Sequence, residues 1–136
     1  MKFTLATITL GLAALPEFAS AAGNFLASCK DIYWINPNFL VATCKKKDGT
    51  WMKTRQDMNL CIGLIGDWIL YAEDEGHAFY DLPWGVGGAE LEGAVITTYG
   101  DLDRSSMSKL DLNTMVENRD GYMWCMGHRS APYSGK

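Results

Sequence analysis

The sequence contains an internal repeat, and this feature limits the choice of fold more than any other. Residues 56–71 (QDMNLCIGLIGDWILY) align with residues 110–125 (LDLNTMVENRDGYMWC). In this alignment DMN at 57–59 matches DLN at 111–113, and Ile62 matches Val116. The repeat predicts a domain built from two similar halves.

The repeat continues towards the start of each copy. FLASC at 25–29 aligns with FYDLP at 79–83, and LVATC at 40–44 aligns with LEGAV at 91–95. Near the end of each copy Gly66-Asp67 aligns with Asp120-Gly121, and Trp68-Ile69 aligns with Tyr122-Met123. We expect each of these aligned pairs to occupy equivalent places in the two halves.

The cysteines follow the repeat in an informative way. The four residues are Cys29, Cys44, Cys61 and Cys125, and four cysteines allow three pairings. The alignment places Pro83 and Val95 opposite the first two, so the second copy lacks both. Because losing one partner removes the whole cross-link, we predict the pairs Cys29–Cys44 and Cys61–Cys125. No CxxC motif or Cys/His pair has metal-ligand spacing, so we expect no metal.

The N-terminus has the pattern of a secretory signal peptide. Lys2 precedes an apolar run at 3–15, and Ala19-Ser20-Ala21 follows as a cleavage pattern. We therefore expect a signal peptide at 1–21 and a secreted, extracellular protein. The later sequence has no apolar run long enough to cross a bilayer, and the net charge of −4 argues against a nucleic-acid partner.

The rest of the chain is typical of an all-β domain. Short runs rich in β-branched and aromatic residues, such as DIYWI, AVITTY and GYMWC, alternate with turn signals. Asp48-Gly49 and Asp120-Gly121 favour tight hairpins, since both residues of each pair tolerate positive φ. Asp57 and Asp111 instead favour the start of a one-turn helix, with Asp or a nearby hydroxyl residue as its cap.

These motifs resemble the cyanovirin-N homology family. The residues that carry the resemblance are NFLASC, LVATCKKKDGTW and QDMNLCIG in the first copy and LDLNTMVENRDGYMW in the second. The resemblance implies a single elongated domain of two tandem pseudo-symmetric repeats that exchange strands, with short 3-10 turns at the D-L-N motif. It implies a domain at 22–126, with repeats at about 24–72 and 78–125, a flexible tail at 127–136, and a fungal source.

The resemblance also implies a carbohydrate site. Members of this family are small lectins that bind α-linked mannose without a metal or cofactor. One of their pockets combines the chain start, the loop after the second cysteine and the N-x-D-G turn of the second repeat. Carried over, the site residues are Asn24, Ala27, Ser28, Lys45, Lys47, Asn118, Arg119 and Asp120. The first repeat has Leu64, Gly66 and Asp67 where the N-x-D-G turn would stand, so we expect the other pocket to be inactive.

Three classes of function remain open from these observations. The first is a lectin for mannose-type glycans with one working site, whose partners are oligosaccharides or glycoproteins. The second is a secreted interaction or effector protein on a lectin scaffold that has lost sugar binding; in it, Asn118 to Gly121 is simply a good hairpin turn. An enzyme is the third and is not expected, because neither His77 nor His128 accompanies a nucleophile motif. We expect a monomer, with a domain-swapped dimer as the alternative.

Overall fold

The computed structural model describes residues 23–66, 69–81, 89–99 and 107–135, and the proposed signal peptide lies outside them. The first repeat contributes strands β1 (Cys29–Ile35), β2 (Phe39–Lys45), β3 (Trp51–Asp57), β4 (Ile62–Ile65) and β5 (Ile69–Ala72). The second contributes helix α1 (Ala78–Asp81) and strands β6 (Glu90–Glu92), β7 (Val95–Tyr99), β8 (Met107–Asp111), β9 (Glu117–Arg119), β10 (Tyr122–Cys125), β11 (His128–Arg129) and β12 (Ala131–Pro132). Short 3-10 turns cover Phe25–Ala27, Met58–Leu60 and Leu112–Thr114.

The strands form the all-β arrangement that the sequence predicts. Each repeat makes an antiparallel three-stranded sheet, β1-β2-β3 or β6-β7-β8, followed by an antiparallel hairpin, β4-β5 or β9-β10. Strand β12 extends the first sheet beside β3, and β11 extends the second hairpin beside β10. The described part of the chain has no helix with the length and hydrophobicity that crossing a bilayer requires.

The two D-x-N motifs form the predicted capped turns. The side chain of Asp57 accepts a hydrogen bond from Asn59 N at 3.0 Å. Asp111 accepts the equivalent bond from Asn113 N at 2.9 Å. These bonds satisfy backbone donors that the first turn of a helix leaves free. The apolar residue after each aspartate, Met58 or Leu112, is then fully buried in the core.

The start of each repeat is hydrogen-bonded to the other repeat. At the start of the first repeat, Phe25 N donates to Val116 O at 3.1 Å, and at the start of the second, His77 N donates to Asn59 O at 2.8 Å. The Cys61–Cys125 disulfide crosses between repeats, whereas Cys29–Cys44 lies within the first. Both predicted pairings are therefore confirmed. The hairpin of each repeat packs against the sheet of the other, β5 against β8 and β10 against β3, so the halves exchange strands as the resemblance implies.

The strand pairing corrects the alignment of the two repeats. Phe39 pairs with Asp57 in the first sheet and Val95 pairs with Asp111 in the second, so Val95 corresponds to Phe39 and not to Cys44. At the repeat starts, Leu26 N and Phe79 N donate to the side chains of Asn113 and Asn59 respectively. This places Phe79 opposite Leu26 instead of the predicted Phe25. The true counterparts of both cysteines lie outside the described residues.

The two hairpins differ by one residue, which corrects a further part of the alignment. Ile65 pairs with Ile69, so three positions separate the paired residues in the first hairpin. Arg119 pairs with Tyr122, leaving only Asp120 and Gly121 in the second. Ile69 therefore corresponds to Tyr122 and not to Met123. A longer turn shifts every later residue to the opposite face unless the register is adjusted.

The C-terminal residues differ from the predicted flexible tail. Ala131 pairs with Arg55, and Tyr133 N donates to Lys53 O at 3.0 Å. Ser130 is buried, and its hydroxyl donates to Thr54 Oγ1 at 2.7 Å. The segment has no alternating pattern of apolar residues, so its role as an edge strand was not visible in the sequence.

Candidate functional site

A cavity of about 600 Å³ lies where three distant chain segments meet. The segments are the start of the first repeat, the loop after β2 and the β9-β10 hairpin. The residues that line the cavity are Gly23, Asn24, Ala27, Ser28, Lys45, Lys46, Lys47, Glu117, Asn118, Arg119 and Asp120. All eight residues of the predicted site are thus brought together, and the structure adds Gly23, Lys46 and Glu117. All three adjoin predicted residues in the sequence, which is the only signal that could have indicated them.

The tight turn of the β9-β10 hairpin forms one wall of the cavity. Asp120 and Gly121 both have positive φ, 51° and 94°, as a two-residue type I′ turn requires. A Cβ atom on Gly121 would lie 2.7 Å from Cγ of Lys46 and 2.9 Å from Cε of Met52. Glycine therefore permits both the backbone conformation and the close approach of the hairpin to the Lys46 loop.

Asn118 holds the three segments together. Its Nδ2 donates to Ser28 Oγ at 2.9 Å and to Lys45 O at 2.9 Å. Its Oδ1 accepts from Gly121 N at 2.8 Å. Both amide hydrogens are used within the protein, so this side chain shapes the cavity instead of offering donors to a ligand. Asn118 is one of the predicted site residues, but its positioning role was not predicted.

Asp120 joins the hairpin to the lysine-containing loop. Its Oδ1 accepts a hydrogen bond from Lys47 N at 2.8 Å. The other carboxylate oxygen has no hydrogen-bond partner among the described residues and keeps its capacity to accept. Asp120 is exposed, so a ligand in the cavity has access to this residue. Of the predicted site residues it offers the clearest acceptor for a hydroxyl group.

A second aspartate stabilises the loop itself. Asp48 Oδ1 accepts from Thr50 N at 2.9 Å and from Thr50 Oγ1 at 2.6 Å. The Thr50 hydroxyl and then its N–H lower the pKa of Asp48 below the ordinary value of 3.8. Because the folded-state pKa is depressed, these bonds stabilise the loop above that ordinary value. Their contribution is lost as pH falls through the lowered pKa.

Most charges at the cavity are positive. Lys45, Lys46 and Lys47 line it together with Arg119. Arg119 Nε donates to Glu117 Oε1 at 2.8 Å, and its guanidinium carbon lies 4.7 Å from the centroid of the Trp124 ring. Arg119 is therefore fixed at the rim by a carboxylate and an aromatic ring. Its charge is compensated by Glu117, whereas the lysines leave the cavity with positive character.

Comparison with known families identifies the fold. The family model described as the CVNH domain matches residues 25–124 of this chain. The chain belongs to the CVNH family. A search of curated proteins gave no significant match.

Solved structures of CVNH proteins share this architecture at low sequence identity. A MoCVNH3 variant in complex with (N-GlcNAc)4 has a TM-score of 0.59 and 19% identity, over 76% of this chain and 97% of that one. TbCVNH from T. borchii has a TM-score of 0.59 and 22% identity, over 76% and 99%. A microvirin:mannobiose complex has a TM-score of 0.54 and 22% identity, over 76% and 98%. These similarities establish the fold that this CVNH domain adopts.

The second pocket expected in a CVNH domain lies largely outside the described residues, which exclude Asp67, residues 82–88 and residues 100–106. One feature of it is visible. Leu64 pairs with Leu70 as Asn118 pairs with Met123, so Leu64 occupies the place of Asn118. A leucine cannot make the three hydrogen bonds that Asn118 makes. The predicted loss of this second site remains a prediction.

A separate cluster brings together groups that bind metals in other proteins. Ligand atoms of Asp74, Glu75 and His128 lie within 4.8 Å of one another. His128 Nε2 lies 2.7 Å from Asp74 Oδ1, which is an ion pair when the imidazole is protonated. None of the three lines the cavity of this CVNH domain. His77, the other histidine, stacks against Tyr80 with ring centroids 5.6 Å apart.

The tryptophans do not line this cavity within the described residues. Trp34 is partly buried and packs against Phe79, with ring centroids 5.1 Å apart. Trp124 is also partly buried and packs under Arg119. Trp51 is 44% exposed and lies on the first sheet. Trp68 and Trp84 lie outside the described residues.

Proposed function

We propose that this CVNH domain is a secreted, metal-independent lectin that binds mannose-type glycans in the cavity formed by its three segments. The observation that carries the proposal is the bonding of Asn118 to Ser28, Lys45 and Gly121, which joins the segments around a polar cavity. A preorganised polar site loses less conformational entropy when it binds a ligand. Two disulfides in a small domain support the extracellular location, because such bonds persist in oxidising compartments.

The chemistry of the cavity suits a sugar. Vicinal hydroxyl groups are both donors and acceptors, so they need ligands of both kinds within a short distance. Asp120 supplies the acceptor, and the lysine ammonium groups of the loop supply donors. Arg119 adds a donor at the rim, since only Nε and one Nη are engaged by Glu117. Affinity for a monosaccharide is weak, because sugar hydrogen bonds replace water hydrogen bonds at small net gain.

Replacing Asp120 by alanine is expected to weaken glycan binding by about 1–3 kcal/mol, roughly 5- to 150-fold, the range for a hydrogen bond to a charged group. Isothermal titration with mannose-rich oligosaccharides, with a chelator present, measures the effect. Asp120→Asn is the matched variant: it keeps an oxygen that can accept from Lys47 N and removes the charge. We expect Asp120→Asn to lie between Asp120→Ala and the wild type.

Asp67→Ala is the control in the other repeat and is expected to leave binding unchanged. Normal binding by Asp120→Ala together with loss of binding in Asp67→Ala would contradict the proposed site and place sugar binding at the hairpin of the first repeat. A wild-type protein that binds no glycan on an array would instead favour the interaction-protein function. The cavity would then be a remnant of the scaffold.

A further inference from the structure

The outer face of the first sheet carries a regular set of cationic and aromatic side chains. Residues paired across adjacent strands project on the same face. One row of pairs contains Lys30, Thr43 and Lys53, the next contains Tyr33, Val41 and Arg55, and a third contains Lys45 and Trp51. We call the cations and aromatic rings on this face the cationic face. Its members are Lys30, Tyr33, Phe39, Lys45, Trp51, Lys53, Arg55 and Tyr133.

Each cation of this face lies over at least one aromatic ring. Lys30 Nζ is 4.1 Å and Lys45 Nζ 5.8 Å from the centroid of Trp51. Lys53 Nζ lies 5.4 Å from Tyr33 and 5.6 Å from Tyr133, while the Arg55 guanidinium lies 4.3 Å from Phe39 and 5.0 Å from Tyr133. These distances are within the range of cation–π attraction. The side chains are thereby held in place before any ligand arrives.

The two ends of the cationic face differ in exposure. Val41 is fully buried although it projects from this face and lies outside the main core cluster. The neighbouring rings and the aliphatic part of Arg55 therefore cover Val41. At this end of the face, the side chains have a structural role because they shield the sheet from water. At the other end, Lys30 and Lys45 are exposed, and Trp51 is 44% exposed between them. Covering the sheet does not require this exposed aromatic group between two cations.

The charges of the cationic face lack carboxylate partners within the described part of the chain. Within residues 23–66 and the other described ranges, none of its four cations forms an ion pair with a carboxylate. Asp57, at the end of β3, already accepts hydrogen bonds from Asn38 Nδ2 at 2.6 Å and Asn59 N at 3.0 Å. Positive charge is thus concentrated on one face of a chain whose net charge is −4. Such a patch attracts an anionic ligand locally, despite the overall charge.

We propose that the cationic face is a second binding surface, for linear anionic polysaccharides that carry sulfate or uronate groups. Ammonium and guanidinium groups neutralise the anions, and the exposed side of Trp51 contacts the apolar face of a sugar ring. From Trp51 to Arg55 the face extends about 14 Å along β3, the length of a short oligosaccharide. Single-stranded nucleic acid fits less well, because the stacking of successive bases needs several exposed rings, and Trp51 is the one exposed ring of the cationic face.

Direct titration tests the surface with defined probes. The probes are a heparin-derived octasaccharide, an oligogalacturonate, a neutral mannose-rich oligosaccharide, an oligothymidylate of equal charge and vesicles containing phosphatidylserine. We expect binding of one or both anionic oligosaccharides that weakens steeply with added salt, as for any ligand that displaces counterions. Absence of binding to both, or tighter binding to the oligothymidylate or the vesicles, overturns the proposal.

Variants at residues that do not line the cavity locate the surface; Lys45 belongs to both sites and is left unchanged. Lys30→Gln combined with Arg55→Gln is expected to lower affinity for the anionic oligosaccharide about 3- to 30-fold, as the loss of two exposed ion pairs predicts. Trp51→Thr is expected to lower it without changing the salt dependence. Lys109→Gln, which removes one exposed charge from β8, is the control for charge outside the cationic face and is expected to have little effect.

The Asp120→Ala variant distinguishes the two sites. We expect it to bind the anionic oligosaccharide at least as well as the wild type, because Asp120 lies in the cavity and carries negative charge. Unchanged binding in the Lys30/Arg55 variant, or loss of binding in Asp120→Ala, contradicts a separate surface. If the wild-type protein binds the anionic oligosaccharide but no mannose-rich oligosaccharide, the proposed lectin site is refuted and the cationic face is not.

Discussion

Replacing Cys61 and Cys125 together by alanine is expected to lower the free energy of unfolding by about 4 kcal/mol. The bond joins residues separated by 64 positions, and the chain-entropy estimate for such a loop exceeds the roughly 3 kcal/mol for the separation of 15 in Cys29–Cys44. It also ties β10 of the second repeat to the D-x-N turn of the first. Its loss therefore loosens the contact between halves that complete each other.

Chemical denaturation of the two alanine pairs measures this difference. Cys29→Ala with Cys44→Ala is the matched control, because it removes a bond of the same kind within one repeat. The buried Gln56 amide contacts the sulfurs of Cys61 and Cys125 at 3.6 and 3.4 Å, so losing them leaves its Nε2 with only the bond to His128 O at 3.3 Å. A larger loss of stability from the control pair would contradict the importance of the cross-repeat bond.

Replacing Asn118 by alanine is expected to lower the free energy of unfolding by about 1–3 kcal/mol and glycan affinity by roughly tenfold or more. The variant leaves Lys45 O and Gly121 N without this partner and separates the three segments that enclose the cavity. Both quantities change because the residue positions the site without supplying donors to the ligand. Denaturation and glycan titration of the same preparation measure them.

Ser28→Ala is the matched control for Asn118. It removes one acceptor, Ser28 Oγ, and leaves the bonds of Asn118 to Lys45 and Gly121 in place. We therefore expect a smaller effect on both stability and affinity. If Asn118→Ala folds and binds glycans normally, the site does not depend on the hydrogen bonds by which Asn118 joins the three segments.

The repeat predicted the fold well because its most informative residues act through hydrogen bonds to near neighbours in the sequence. Asp57 and Asp111 cap their turns through bonds to residues only two positions later, and a sequence pattern contains such information fully. Alignment between the copies was less accurate where loop lengths differ. Ile69 was placed opposite Met123 because the extra residue of the first turn has no composition signal of its own.

The candidate site shows where prediction from sequence stops. The family resemblance predicted that the eight residues form one site, but it did not predict their hydrogen-bond partners. Asn118 bonds to Ser28, 90 positions away, and to Lys45, 73 positions away, and such bonds depend on how the segments are placed in space. The identity of Asn118 alone could not distinguish a positioning role from contact with a ligand.

The cationic face was hidden by an irregularity in β1. Strict alternation would place Lys30 and Tyr33 on opposite faces, because they are three positions apart. The pairing of β1 with β2 shifts between these two residues, and Asp31 in this interval has a φ of 53°. The bulge moves Lys30 to the face of Tyr33. A bulge of this kind is not predicted by propensity, since it depends on pairing with the neighbouring strand.

Chemical-shift mapping by NMR shows directly whether this cavity binds a glycan. A mannose-rich oligosaccharide is titrated into isotope-labelled protein with a chelator present, and the backbone amide shifts are followed. We expect the largest changes on residues 23–28, 45–47 and 117–120. Absence of change at millimolar ligand, or changes confined to residues 62–72 and 89–99, would contradict a sugar site in this cavity.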